Sequence, residues 1–235
     1  MRRRYVFCGD THGDLEFAER AARLAREHAA ELIQCGDFGF LWPGSDKLSD
    51  LSDMLAGHGV AMRFLDGNHD DHPRLRRHVK TCTATTIAPH VVYQPRGSVH
   101  EDEDGTRVLF CGGAPSIDRA FRTPGRSWWP EEVITRDELT RSLAVPGPIH
   151  VVVTHDAPAF PPGFSPKGTA AYKRQQEESM QYVNAIVQHH RPQMIVHGHW
   201  HSSYERAHAT GARVVGLDCN YAALEKATLL WSRKP

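Results

Sequence analysis

No stretch of this chain approaches eighteen consecutive apolar residues, so the sequence offers no membrane-spanning helix. A secretory leader is not expected either. After Met1-Arg2-Arg3-Arg4 only four strand-like residues precede Gly9 and Asp10, too few for the apolar core of a signal peptide. Charge of one sign is not in excess: Lys+Arg and Asp+Glu both number 28. No net field therefore steers the chain toward nucleic acid or an anionic membrane, although local patches are not excluded. Cysteine pairs are absent too. The five cysteines, Cys8, Cys35, Cys82, Cys111 and Cys219, are odd in number and show no CxxC spacing. Three of them end apolar runs, where a small thiol packs well. All five are read as reduced and structural, and the compartment as cytoplasmic. There is no internal repeat, no low-complexity tail and no linker. At 235 residues the chain can bury a large core, and one domain over residues 1–235 is expected.

What remains is ordinary globular composition, 40% hydrophobic and 24% charged, with strands and helices alternating. Residues 5–8, 31–35, 61–66, 149–154 and 193–197 are short apolar runs and read as buried strands. Residues 14–30 carry Leu15, Ala18, Ala22, Leu24 and Ala25 among charges, an amphipathic helix capped by Asp14. Residues 45–58, with Leu48, Leu51, Met54 and Leu55 on one face, give a second helix, and residues 170–190 a long third. Thr135-Arg136-Asp137-Glu138 is a capping box opening a short helix to about Leu143. Residues 91–98 and 106–112 flank an acidic turn and predict a hairpin. Residues 115–130 are a loop rich in Arg, Gly and Trp, and residues 157–167 a proline-rich one. Residues 204–209, 213–218 and 226–232 predict an antiparallel set that ends the chain.

Each of the five apolar runs leads into a polar motif: Gly9-Asp10-Thr11-His12, Gly36-Asp37, Gly67-Asn68-His69-Asp70, Thr154-His155 and Gly198-His199-Trp200-His201. In open α/β sheets, sites form beyond the carboxyl ends of the strands, so five ligand-bearing loops would meet at one rim. Asp10, His12, Asp37, Asn68, His155, His199 and His201 offer hard oxygen and borderline imidazole donors without a thiolate. That mix suits Mn²⁺ above all, with Fe or Zn²⁺ as alternatives, better than a closed structural zinc site. Seven groups are too many for one ion with an open position and suit two divalent metal ions sharing a carboxylate.

GDTHGD, GD, GNHD, TH and GHWH in this order resemble the calcineurin-like metallophosphoesterase family, and they span residues 9 to 201. The stretch GGAPSID…GRSWWPEE is similar to small bacterial and phage members. The resemblance implies an α/β fold of two facing mixed β-sheets flanked by helices, the metallophosphoesterase sandwich, with the site at one rim. It implies a first metal on Asp10, His12 and His201, a second on Asn68, His155 and His199, and Asp37 bridging. It makes His69 the group that contacts the phosphoryl group and protonates the leaving oxygen. A hydroxide between two cations would attack phosphorus in line with the leaving group. The protein phosphatases of the family continue their second motif as GDxxDRG. Here Phe38-Gly39-Phe40-Leu41-Trp42 follows Asp37, so the helper Asp and Arg are missing from that place. Asp70 is the nearest candidate to support His69.

Other residues have plainer readings. His197 and Trp200 are expected to pack and Trp128 and Trp129 to line core or rim, and a role for Asp156 as an acceptor behind His155 is the lesser of its two readings. Arg119, Arg122 and Arg126 sit in a loop that would overhang the site and clamp a phosphate. Without the GDxxDRG arginine, and with Phe38, Phe40, Leu41 and Trp42 read as receiving an organic substituent, a diester is the expected substrate. The expectation is a phosphodiesterase acting on small phosphoesters, cyclic nucleotides among them, with weaker monoesterase activity. A phosphomonoesterase or protein phosphatase and a nuclease are the alternatives. A binding module without activity is the rival class, and no ligand position is lost that would signal it. Nothing marks a membrane partner or a long nucleic-acid groove.

Overall fold

The structure, a computed structural model, describes residues 3–42, 47–79, 81 and 83–233. The chain first lays down β1 (Arg4–Cys8), α1 (Leu15–Glu27), β2 (Ala30–Gln34), α2 (Lys47–His58), β3 (Met62–Phe64), α3 (His72–His78), β4 (Thr85–Ala88) and β5 (Val91–Tyr93). It continues with β6 (Ser98–Glu101), β7 (Arg107–Cys111), α4 (Arg136–Leu143), β8 (Val151–Thr154), α5 (Ala170–His190), β9 (Met194–His197), β10 (Tyr204–Ala207) and β11 (Arg213–Gly216). Finally α6 (Leu224–Ala227) and β12 (Thr228–Ser232) return to the first sheet.

The two six-stranded sheets run β12-β1-β2-β3-β5-β4 and β10-β11-β9-β8-β7-β6. Each has four parallel strands inside and one antiparallel strand at either edge. Period-two alternation sets the layers. Tyr5, Phe7 and Ile33 of the first sheet meet Val108, Phe110, Val151 and Val153 of the second in the central core. The alternate residues point outward: Val6 and Cys8 toward α1 and α2, Val152 and Ile195 toward α4 and α5. Two facing mixed sheets flanked by helices are thus the architecture. No helix among the described residues is long and apolar enough to cross a membrane.

Asp14 caps α1 by accepting from the Phe17 amide, and the capping box of Thr135 and Glu138 opens α4 as the sequence predicts. Several boundaries differ from expectation. The first helix stops at Glu27, because Ala29 turns left-handed (φ 47°) and Ala30 already pairs with β1. The run 91–98 is split. Val91–Tyr93 joins the first sheet, and only Ser98–Glu101 forms the hairpin with β7. Pro95, which has no amide hydrogen, and Gly97 (φ 85°) turn the chain between the sheets. The last three strands are not one set: β10 and β11 pair antiparallel, but β12 crosses back to β1. Helix α3, capped by Asp71 with Pro73 in its first turn, and strand β4 were not anticipated. Ser45, the expected start of the second helix, and Cys82 lie outside the described residues. Cys8, Cys35, Cys111 and Cys219 are buried and unbridged.

Candidate metal centre

Five parallel strands end where the polar motifs begin. Asp10 and His12 follow β1, Asp37 follows β2, Asn68 and His69 follow β3, His155 follows β8, and His199 and His201 follow β9. The loops are bent to face one another. Among the described residues seven non-glycine positions have positive φ, and four of them are His12 (46°), Asp37 (53°), His199 (66°) and His201 (44°). Left-handed backbone at residues with a Cβ costs on the order of 1 kcal/mol each, and such cost concentrates at functional sites. Two glycines make the approach possible. A Cβ on Gly67 would overlap the Asp37 carboxylate, and one on Gly198 the Asp10 carboxylate.

The side chains fall into two groups that share Asp37. Asp10, His12, Asp37 and His201 each offer a ligand atom, all within 4.8 Å of one another. His201 Nε2 lies 3.0 Å from Asp10 Oδ2 and 3.2 Å from His12 Nε2. On the other side, His155 Nε2 is 3.1 Å from Asn68 Oδ1 and 3.3 Å from Asp37 Oδ1, and the His199 ring lies 5.0 Å from that of His155. Asp37 thus turns Oδ2 toward His12, at 4.0 Å, and Oδ1 toward His155. His155 Nδ1 donates to the Cys35 carbonyl at 2.8 Å, which leaves Nε2 free to face the cluster.

Electrostatics show what these two groups suit. Asp10 and Asp37 are 0% and 1% exposed, and every ion pair they make among the described residues is with a histidine. Burial opposes a charged His155, yet Asp37 and Asp10 outweigh it and raise its pKa to about 10. The hydrogen bond to Asp10, helped by Cys219, raises His201 to about 11. His199, buried and next to His155, falls to about 3. Protons on histidine are what balance the carboxylates here. Buried carboxylates with imidazole and amide donors around them, and no lysine or arginine bonded to them, fit divalent ions that displace those protons.

The supporting residues are less as expected. Asp70 accepts from the amides of Gly67 (2.8 Å), Gly39 (3.0 Å) and Phe38 (3.2 Å), so its carboxyl braces two motif loops and does not reach the His69 ring. Burial and the nearby Asp37 raise its pKa to about 7. The partner of His69 Nδ1 is Arg122, which also donates to the Asn68 carbonyl (3.1 Å) and Ser116 Oγ (2.9 Å) and pairs with Asp118 (3.3 Å). Arg122 is therefore one of the three loop arginines that comes to the centre. Arg119 stacks on Trp128, 3.9 Å above the ring, and Arg126 is exposed. Ser116 and Glu132, which fix Arg122 from behind, were missed; both fall in the stretches that carried the weaker part of the resemblance. Gln34 was missed as well. It ends a buried strand, donates to the Gly9 carbonyl and accepts from the Gly36 amide, and a polar residue closing an apolar run was the available signal.

Phe38, Phe40 and Leu41 correct another expectation. They are 0–1% exposed and packed in the core beneath α1 and α2, Phe38 stacking on Phe64 at 3.8 Å, so they receive no substituent. Trp42 packs near Trp129. His197 is bonded to Tyr204 and the Gly198 carbonyl, away from the ligand groups. Asp156, wholly buried, accepts from Trp200 Nε1 (3.0 Å), Gln176 (2.8 Å) and Ser179 (2.6 Å), and does not support His155.

A rim of candidate metal-ligand loops over two facing mixed sheets defines a class of metal-dependent hydrolases. The chain belongs to the calcineurin-like phosphoesterase family, whose sequence profile matches residues 3–203. That membership makes it a metal-dependent phosphoester hydrolase. Among solved structures it is similar to the protein TT1561 of Thermus thermophilus, at 14% identity over 99% of both chains with a TM-score of 0.59. A dimetal phosphatase from Danio rerio is similar at 10% identity over 97% of this chain and 91% of that one, with a TM-score of 0.55. A 5'-nucleotidase from Candida albicans shares 11% identity over 98% of this chain and 51% of that one, with a TM-score of 0.52. At these identities the likeness is one of fold. No curated protein matches the chain.

Proposed function

We propose that the chain, one domain over residues 1–235, is a cytoplasmic two-metal phosphodiesterase for small organic phosphoesters, with weaker monoesterase activity. Cyclic nucleotides are among the substrates of that class. The observation that carries this is Asp37, whose two oxygens face two separate donor groups. In this reading Asp10, His12 and His201 hold one ion, Asn68, His155 and His199 the other, and Asp37 both. Mn²⁺ is the first choice, with Fe or Zn²⁺ as alternatives. Two such cations, when bound, neutralise phosphoryl oxygens and supply a water of lowered pKa.

The remaining work falls to side chains. Asn68, a neutral oxygen donor, limits negative charge near the phosphoryl group. The Arg122 guanidinium only donates, so at rest His69 Nδ1 accepts and its one proton sits on Nε2, in a ring that lines the cleft. In hydrolysis the bond from phosphorus to the leaving oxygen breaks, a bond to the water oxygen forms, and the proton that the water loses passes to solvent. To act as the acid His69 first takes up a second proton at Nδ1, with Arg122 turned onto Ser116 and Asp118, then gives its Nε2 proton to the leaving oxygen and returns to the neutral ring. Support for a diester comes from Arg122 being engaged with His69 and Asp118, which leaves little fixed positive charge for a dianion. A monoester preference is the second reading, because Lys167 and Lys173 line the same cleft. Metal-stripped protein assayed on bis-nitrophenyl and nitrophenyl phosphate, with Mn²⁺, Zn²⁺ or Mg²⁺ restored, tests the proposal. Activity should return with metal and kcat/KM should favour the diester; a clear monoester preference overturns the diester assignment.

A further inference from the structure

The cleft that opens over the donor groups has a volume of about 470 Å³. That is far more than a phosphoryl group fills and within the roughly 300–1,000 Å³ of small-molecule sites. Its second wall is aromatic. Phe160, Phe164, Tyr172 and Trp200 line it. Trp200 stands between His199 and His201, its ring edge-on to that of His199 at 5.5 Å between centroids, and its indole nitrogen is tied to the buried Asp156, which α5 holds through Gln176 and Ser179. Phe160 and Phe164 meet the indole edge-on, at 5.6 and 5.1 Å between centroids. The ring is thus fixed before any ligand arrives.

Exposed apolar surface gathers on the same rim of the sheets. The exposed large hydrophobics among the described residues are Ile117 (57%), Phe121, Phe164 (41%), Tyr221 and Leu230. All but Leu230, on edge strand β12, lie in loops that follow the parallel strands β7, β8 and β11. Ile117 and Phe164 line the cleft itself.

The third observation is charge. Lys167 and Lys173 line the cleft from the α5 side, and neither has an acidic partner among the described residues. The first turn of α5 carries no acid, and Asp118, the acid on that wall, is paired with Arg122.

We propose that this cleft selects phosphoesters whose organic group is a flat aromatic ring carrying a second anionic group. The ring lies against Trp200 and Phe164, and the anion is met by Lys167 and Lys173. An alkyl chain would gain area alone, whereas a ring also gains the offset and edge-to-face contacts that aromatic walls provide. The inference rests on the phosphoesterase reading and names the substrate class of that site.

Three diesters that release the same nitrophenolate isolate the effect: methyl, phenyl and 3-carboxyphenyl nitrophenyl phosphate, assayed with Mn²⁺-loaded protein. In the unmodified enzyme kcat/KM should rise by about tenfold at each step. Phe164→Ala should shrink the phenyl-to-methyl ratio several-fold. The pair Lys167→Ala and Lys173→Ala should bring the carboxyphenyl-to-phenyl ratio near one. Elemental analysis checks that both variants hold metal like the parent. A flat series in the parent, or ratios that the variants leave intact, overturns the proposal. If no diester is hydrolysed, the phosphodiesterase reading falls. Calorimetry with methyl, phenyl and 3-carboxyphenyl phosphate then decides the cleft separately, equal affinities counting against it.

Discussion

The loop after β3 meets two clusters of buried carboxylate, one through its own Asp66 and the other through Asn68, and they solve the same problem in opposite ways. Asp66 is neutralised from within the chain. Arg96 donates to it at 2.9 and 2.6 Å, to Glu138 at 3.0 Å and to the Val133 and Glu131 carbonyls. Asp10 and Asp37, across the loop beside Asn68, find histidines instead of an arginine. A guanidinium stays charged at any working pH and cannot be exchanged, which suits a joint between the sheets. Imidazoles release their protons when a metal arrives, which suits chemistry. The loop has one arm that only holds and one that reacts.

The largest effect should come from breaking the reactive arm. Asp37→Asn should lower occupancy at both metal positions and reduce kcat/KM by about 10³-fold or more, since the several kcal/mol supplied by paired ions is lost. His201→Ala should mainly empty the first position and His155→Ala the second. Two ions still bound in Asp37→Asn, at full activity, would remove the basis for a shared carboxylate.

His69→Ala should keep both metals and lose roughly 10²–10⁴ in turnover, the size of general acid catalysis. The loss should be smaller for a nitrophenolate leaving group, which hardly needs a proton. Equal losses for good and poor leaving groups would speak against proton donation.

The holding arm should answer differently. Arg96→Met strands Asp66 and Glu138 and should cost about 3–5 kcal/mol of stability by chemical denaturation. Adding Asp66→Asn should recover part of that cost. If Arg96→Met unfolds at the same denaturant concentration as the parent, the cluster is not a joint.

The smallest effect is a pH slope beside that joint. His72, 4% exposed and 3.8 Å from Asp66, is pushed down to about 4 by burial, with Asp66 and Glu131 opposing and Arg96 and Arg76 assisting. A neutral folded His72 binds fewer protons than the unfolded chain, in which histidine titrates near 6.5. Its contribution to stability is therefore whole above about 6.5 and is lost as pH falls through about 4. His72→Gln should flatten denaturation midpoints across that window. An unchanged slope would place the proton elsewhere.

The contrast between the two arms also marks what the sequence made legible. The reactive arm is written locally: each ligand sits one to four residues past an apolar run, so strand ends and donor chemistry can be read together. The holding arm is not, because Asp66 and Arg96 look like ordinary surface charges until β5 and the turn after it bring them together. Phe38, Phe40 and Leu41 misled for a related reason. An apolar run beside a site has the same pattern whether it lines a cleft or fills the core, and only the packing of α1 and α2 decides. Strand β12 is the same kind of case, since pairing with β1 is a fact about the other end of the chain. Arg122 was seen, but its partner was not, since His69 lies more than fifty residues away in sequence.

The left-handed backbone at His12, Asp37, His199 and His201 sets durability against activity. Glycine at any of the four would relax the turn and remove a donor in the same stroke. A lineage selected only for a sturdier fold would therefore drift toward a protein that keeps both sheets and has lost its reaction. The strained turns persist as long as turnover is what selection sees.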